Sequence, residues 1–299
     1  MEVIKKNGEQ GEVRLCLVAD IHQGPDHLTK IGSQAPNLLQ AFLEHARLFR
    51  PDLIIDLGDR ISDRSPEEDQ AHLALVREAF RLCDRPRAHL LGNHDLVNLS
   101  SRENAVFLET EVDHRILELG GWRLILWQAQ VDLRRGPDKN TLRADFDWLT
   151  KALTGSDRPA AVFSHLPVSG HSQTGNYYFQ ANPAYSVHPW HRRIRGLLDR
   201  TASPVVWVAG HVHWNSLTFV DGLPHLTIQS LTESFTTPPR PCGAYADLIL
   251  GRTGFSLTVH GSDPVSLSLP LPRSGPQRWQ PPLGPGFSQA GGAESRENR

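Results

Sequence analysis

Cysteine is scarce: Cys16, Cys83 and Cys242 are widely separated, odd in number and form no CxxC pair. That excludes a disulfide framework and gives no thiolate zinc motif, so buried reduced thiols are expected. Long apolar runs are missing too. No stretch approaches the roughly 20 residues of a membrane-spanning helix, and the opening MEVIKKNGEQGE lacks the apolar core of a secretory signal. A cytoplasmic protein with no membrane partner is therefore expected. An excess of either charge is also absent, since 31 Lys+Arg against 33 Asp+Glu leave a net charge of -2. Such a balance gives no field for non-specific nucleic-acid binding and suits a small or nucleotide-sized substrate.

Hydrophobic residues make up 39% of the 299, enough for one sizeable domain. Val13 to Ala19 (VRLCLVA) and Leu53 to Leu57 (LIIDL) are apolar runs that read as buried strands. Between them Leu38, Leu39, Phe42, Leu43, Ala46 and Phe49 recur at helical spacing, and Pro51 closes the segment. The alternation continues with a helix over Pro66 to Cys83 and strands at Ala88 to Leu91, Trp122 to Gln128 and Ala160 to Phe163. A helix over Arg143 to Leu153 precedes the last of these, and another around Trp190 to Leu198 precedes a strand at Val205 to Ala209. From Leu217 the short β-branched runs LTFV, HLTIQSL, YADLIL and FSLTVHG predict an antiparallel finish. The domain is expected to span 1–261. Residues 262–299, rich in Pro, Gly and Ser, read as a disordered tail.

In a sheet flanked by helices, ligand sites gather at the carboxyl ends of the strands. Asp20, His22, Asp59, Asn93, His165, His211 and His213 each fall just after a predicted strand. They offer carboxylate oxygen, amide oxygen and imidazole nitrogen without thiolate, a donor set for Mn, Fe or Zn. Two such ions about 3.5–4 Å apart lower the pKa of a shared water and clamp phosphoryl oxygens during in-line displacement. Hydrolysis of a phosphate ester needs both actions.

Asp20-x-His22, Gly58-Asp59, Gly92-Asn93-His94-Asp95, His165 and Gly210-His211-x-His213 together resemble the signature of calcineurin-like metallophosphoesterases. The resemblance implies an α/β fold, a four-layer α/β/β/α sandwich with two mixed β-sheets. It implies one divalent ion held by Asp20, His22, Asp59 and His213. A second would be held by Asp59, Asn93, His165 and His211, with Asp59 bridging. Attack would come from a metal-held hydroxide, with Asn93 stabilising the developing charge and His94 protonating the leaving oxygen. Asp95 would orient His94. Arg60 and Asp63, in GDRISD, would give the ligands outer support.

GNHD with GHxH is similar to the cyclic-nucleotide and glycerophosphodiester branch of the family, which makes a phosphodiesterase the leading expectation. GNHDLVNLSSR also resembles the Mn-dependent ADP-ribose and CDP-alcohol diphosphatases, with Asp95 where they have Glu. A phosphomonoesterase is the other enzymatic alternative, although the longer arginine-bearing signatures of protein phosphatases are incomplete here. A non-catalytic scaffold predicts missing ligands, and none is missing. Ser169 to Trp190 reads as an aromatic loop near the site, a candidate substrate cap in which Tyr177, Tyr178 and Phe179 would stack on a base or aryl group or pack on the domain. The remaining histidines, His45 and His260 among them, are expected in solvent or in satisfied pockets. His171, soon after His165, and homo-oligomer formation are left open.

Overall fold

The computed structural model describes residues 11–129, 131, 138–275 and 278–280. The opening residues and the stretch after 280, on which the leader and most of the tail expectations fall, lie outside them. In chain order the elements are β1 (Val13–Val18), α1 (Ala35–Phe49), β2 (Leu53–Asp56), α2 (Pro66–Arg81), β3 (Arg87–His89), α3 (Ser101–Leu108), β4 (Arg115–Leu119) and β5 (Trp122–Leu126). There follow α4 (Lys139–Thr154), β6 (Ala160–Ser164), α5 (His191–Asp199), β7 (Val205–Ala209), β8 (Ser216–Val220), β9 (Leu223–Thr227), β10 (Tyr245–Leu250), β11 (Gly254–His260) and β12 (Val265–Pro270).

The strands form two mixed six-stranded sheets, ordered β12-β11-β10-β1-β2-β3 and β4-β5-β6-β7-β9-β8. Strands β1 to β3 run parallel, as do β5, β6, β7 and β9, and antiparallel strands complete both sheets. The sheets face each other across a core in which Leu15, Leu17 and Ile55 of one meet Leu124, Phe163, Val206 and Val208 of the other. Helices α1 and α2 cover the outer face of the first sheet through Leu39, Phe42, Val76 and Phe80. Helices α4 and α5 cover the second through Phe146, Leu149, Ile194 and Leu197, which pack on Trp127 and Trp207. Because both faces of each sheet are covered, the central strands are near-continuous apolar runs rather than alternating, with Arg14 and Arg123 near their starts as exceptions. The layers are those of an α/β/β/α sandwich. No helix among the described residues is long and apolar enough to cross a membrane.

Three expectations change. The segment from 262 does not leave the fold at once, because Val265, Leu267 and Leu269 of β12 pack on the core while alternate serines face outward. Beyond it, Arg278 donates to the carbonyls of Leu198 at 3.1 Å and Thr201 at 2.6 Å, fastening the chain to the end of α5. The finish from Leu217 is not uniformly antiparallel either: β9 lies parallel to β7, and β10 to β12 join the other sheet beside β1. Finally, α3 and β4 lie in a stretch with no expected element. Helix α3 is nucleated by a capping box between Ser100 and Glu103.

Candidate metal centre

The loops after β1, β2, β3, β6 and β7 open at the same end of the two sheets, and the structure brings all seven expected ligands together there. Two groups of donors result, Asp20, His22, Asp59 and His213 in one and Asp59, His165 and His211 in the other, each with its ligand atoms within 4.8 Å of one another. Asp59 is common to both. His22 Nε2 lies 3.0 Å from His213 Nε2, and His213 Nε2 lies 3.4 Å from Asp20 Oδ1. On the other side His165 Nε2 stands 3.4 Å from Asp59 Oδ2, 3.2 Å from Asn93 Oδ1 and 3.2 Å from His211 Nδ1. Asn93 therefore completes the second group.

Backbone conformation confirms how tightly the loops are bent. Asp20, His22, Asp59, His211 and His213 all adopt positive φ, between 47° and 69°, a region that costs a non-glycine residue about 1–3 kcal/mol. Strain of this kind persists only where neighbours over-determine it. Asp20 Oδ2 accepts from the His211 amide at 2.9 Å, which ties the first motif to the last. Asp95 accepts at 2.9 Å from the amides of Asp59, Arg60 and Gly92 and from Arg60 Nη1. The expectation that Asp95 orients His94 is corrected by this geometry: its carboxylate is consumed in joining the two central loops. Asp63 takes the orienting part, hydrogen-bonded to His94 Nδ1.

The outer hydrogen bonds select which imidazole nitrogen faces inward. His165 Nδ1 donates to the Leu57 carbonyl at 2.9 Å, His211 Nε2 to the Tyr185 carbonyl at 2.8 Å, and His213 Nδ1 to Glu233 at 2.8 Å. Each leaves the opposite nitrogen lone pair for a cation. Burial depresses the basicity of His165 and His213, but Asp59 for the first and Asp20 with Glu233 for the second outweigh it and raise both to about 9. Burial and then His165 hold His211 down at about 3. Burial also pushes Asp59 up, yet the surrounding histidines, His165 foremost, hold it well below the usual carboxylate range. Asp20 Oδ1, fully buried, has no hydrogen-bond partner among the described residues. A buried carboxylate oxygen whose nearest partners are two imidazole nitrogens, His213 Nε2 at 3.4 Å and His22 Nε2 at 4.0 Å, is a fit for a divalent cation.

The centre floors a cleft of about 700 Å³ whose wall includes Lys30, His94, Tyr177, Tyr178, Tyr185 and Phe235. The 169–190 loop does line the site: Tyr177 stacks on Phe235 with centroids 6.3 Å apart, and buried Phe179 packs on His211 at 5.0 Å. Sequence reasoning passed over Lys30 and Glu233. Each lies far from any motif and reaches the cleft only through the fold, so no local pattern marked it.

A family model described as calcineurin-like phosphoesterase matches residues 13–215, which include all seven expected ligand positions. The chain belongs to the calcineurin-like phosphoesterase family, and it is a metal-dependent phosphoester hydrolase. Among solved structures it is similar to a dimetal phosphatase from Danio rerio, at 18% identity and a TM-score of 0.68, over 87% of this chain and 99% of that one. It is also similar to the purple acid phosphatase PPD1 from yellow lupin (Lupinus luteus) seeds, at 13% identity and a TM-score of 0.61. That likeness covers 94% of this chain but 58% of the lupin protein, so the chain spans a little over half its length. At such identities the likeness is one of fold. No curated protein matches the sequence.

Proposed function

We propose that this hydrolase acts on phosphodiesters of nucleotide size. Asp20, His22, Asp59 and His213 hold one ion in this reading, and Asp59, Asn93, His165 and His211 the other. The two ions, when bound, activate water and neutralise charge on the phosphoryl oxygens. His94, with Nδ1 held by Asp63, presents Nε2 to the cleft and delivers the proton to the leaving oxygen. Asn93 also lines the cleft and stabilises the developing charge.

The observation that carries the diester preference is the placement of Arg60. An arginine beside the bridging aspartate is the natural grip for a dianionic monoester, but here the guanidinium is fully buried. It binds Asp56 at 2.5 Å and Asp95 at 2.9 Å and donates to the Leu90 carbonyl. Among the described residues no arginine lines the cleft, and Lys30 is its one fixed cation, facing Glu233 and Asp59. A monoanionic diester with an aromatic or nucleoside group against Tyr177, Tyr178 and Tyr185 suits this lining better than a bare dianion.

The two solved relatives are named phosphatases, which supports a phosphomonoesterase as the second reading. Turnover of a bis-aryl phosphate and of its monoester with added Mn separates them. A kcat/KM higher for the diester by at least about tenfold is expected, and a strong monoester preference would sink the first reading.

A further inference from the structure

Away from the cleft, side chains from four elements converge on a single carboxylate. Cys16 of β1 pairs in register with Asp247 of β10, and Tyr245, on the same face of β10, pairs with His260 of β11. His45 of α1 closes over them. Its Nε2 lies 3.0 Å from both Asp247 oxygens, His260 Nε2 lies 2.8 Å from Oδ2, and the Cys16 thiol donates to Oδ1 at 3.2 Å. The two imidazole rings are 4.6 Å apart. The sulfur, the His45 nitrogen and an Asp247 oxygen lie within 4.8 Å of one another.

A hydrogen-bonded cluster alone accounts poorly for this arrangement. Asp247 is largely buried, and a buried carboxylate normally requires a cation, yet among the described residues no lysine or arginine pairs with it. Two imidazole nitrogens and a thiol crowd the same carboxylate instead. We infer that Cys16, His45, Asp247 and His260 form a binding site for a thiophilic divalent ion, zinc above all, separate from the metal centre in the cleft. One sulfur, two nitrogens and one oxygen are a donor set of the kind zinc takes in four-coordinate sites.

Bonds of about 2.0–2.3 Å in a tetrahedron put neighbouring donors roughly 3.3–3.5 Å apart; the Cys16, His45 and Asp247 atoms already lie within 4.8 Å of one another, and the half-open His260, with Nε2 2.8 Å from Asp247 Oδ2, swings in as the fourth ligand. Charge balances as well, because a thiolate and a carboxylate neutralise a dication. Burial, with Asp247 beside it, pushes the Cys16 thiol upward, so the metal-free site keeps that proton and binding releases it to solvent. The half-open imidazoles, 24% exposed for His45 and 32% for His260, give the ion a way in, while the buried sulfur closes the inner side. With four protein ligands the site is structural, clamping α1 onto β1, the strand that leads into Asp20. Cys16 precedes Asp20 by four residues.

Sulfur makes the proposal separable from the cleft, whose donors are nitrogen and oxygen only. Full-length protein stripped with chelator is titrated with Co(II) and read for a thiolate-to-cobalt charge-transfer band in the near ultraviolet. The wild type is expected to show the band and to bind one Co(II) more per chain than Cys16→Ser, which loses the band. Cys83→Ser keeps it. His260→Gln, a change at the exposed rim that spares the core, weakens Co(II) binding at the band-forming site by at least about tenfold, and decides the matter if Cys16→Ser does not fold. A wild-type protein without the band, a band surviving Cys16→Ser, or unchanged affinity in His260→Gln overturns the site.

Discussion

His94 shows how much one hydrogen bond decides at the scale of the residue. Its neighbour in sequence, Asp95, is the obvious orienting carboxylate, but the turn after β3 sends Asp95 inward to three amides and Arg60. Asp63, from the loop after β2, meets the imidazole instead. Asp63→Asn is expected to lower kcat roughly 10- to 100-fold with both ions retained, and His94→Ala by about 10²–10⁴-fold; loss of metal from either, seen by elemental analysis, would remove the separate role of His94. The clustered histidines set a pH dependence. In the metal-free chain His165 and His213 stand near 9, so an entering ion displaces their protons. Metal affinity should therefore rise as pH rises toward 9, about tenfold per unit for each proton displaced. The same two groups stabilise the metal-free fold, fully below about pH 6.5 and progressively less as pH climbs through 9, so metal affinity and metal-free stability move oppositely. Calorimetric titrations between about pH 6 and 8 that show flat affinity would contradict this.

At the scale of the element, the site depends on how closely two loops approach. A Cβ placed on Gly92 would collide with Asp59 Oδ1 and stand 2.5 Å from the Asp59 amide, so any side chain there drives aside the carboxylate common to both donor groups. Gly92→Ala is expected to cost both ions at once, with bound metal falling from two sites together rather than from one; retention of a single ion at full affinity would argue against Asp59 as the bridge. Helix α3 holds the neighbouring turn from the other side, since the buried Asn104 amide donates to the Asp95 carbonyl at 2.8 Å and to the Ser100 carbonyl at 3.1 Å. This helix was not legible because its apolar face is only Leu108 and flanking residues, too few to set a period, although Ser100 and Glu103 stood at capping-box spacing.

At the scale of the whole molecule, the two sheets are completed by strands distant in sequence, and β12 is the edge most at odds with composition. Its Val265, Leu267 and Leu269 alternate as an edge strand should, but the proline and serine around them mask the pattern. Truncation after Gly261 removes these contacts and exposes β11, and should cost on the order of 3 kcal/mol, lowering Tm by roughly 5–10 °C; a differential scanning trace without a shift would show that β12 adds nothing to the body. By itself the sequence determined the strand-helix alternation and the order of the donor residues that follow the strands, because burial of both sheet faces writes continuous apolar runs and each run ends in a polar motif. Only the tertiary structure decided which carboxylate serves His94, that Arg60 turns away from the cleft, that Lys30 and Glu233 enter it, and that Cys16, His45 and His260 meet at Asp247. Those pairings join residues far apart along the chain, and their partners are selected by sheet order and loop direction, which no local spacing encodes.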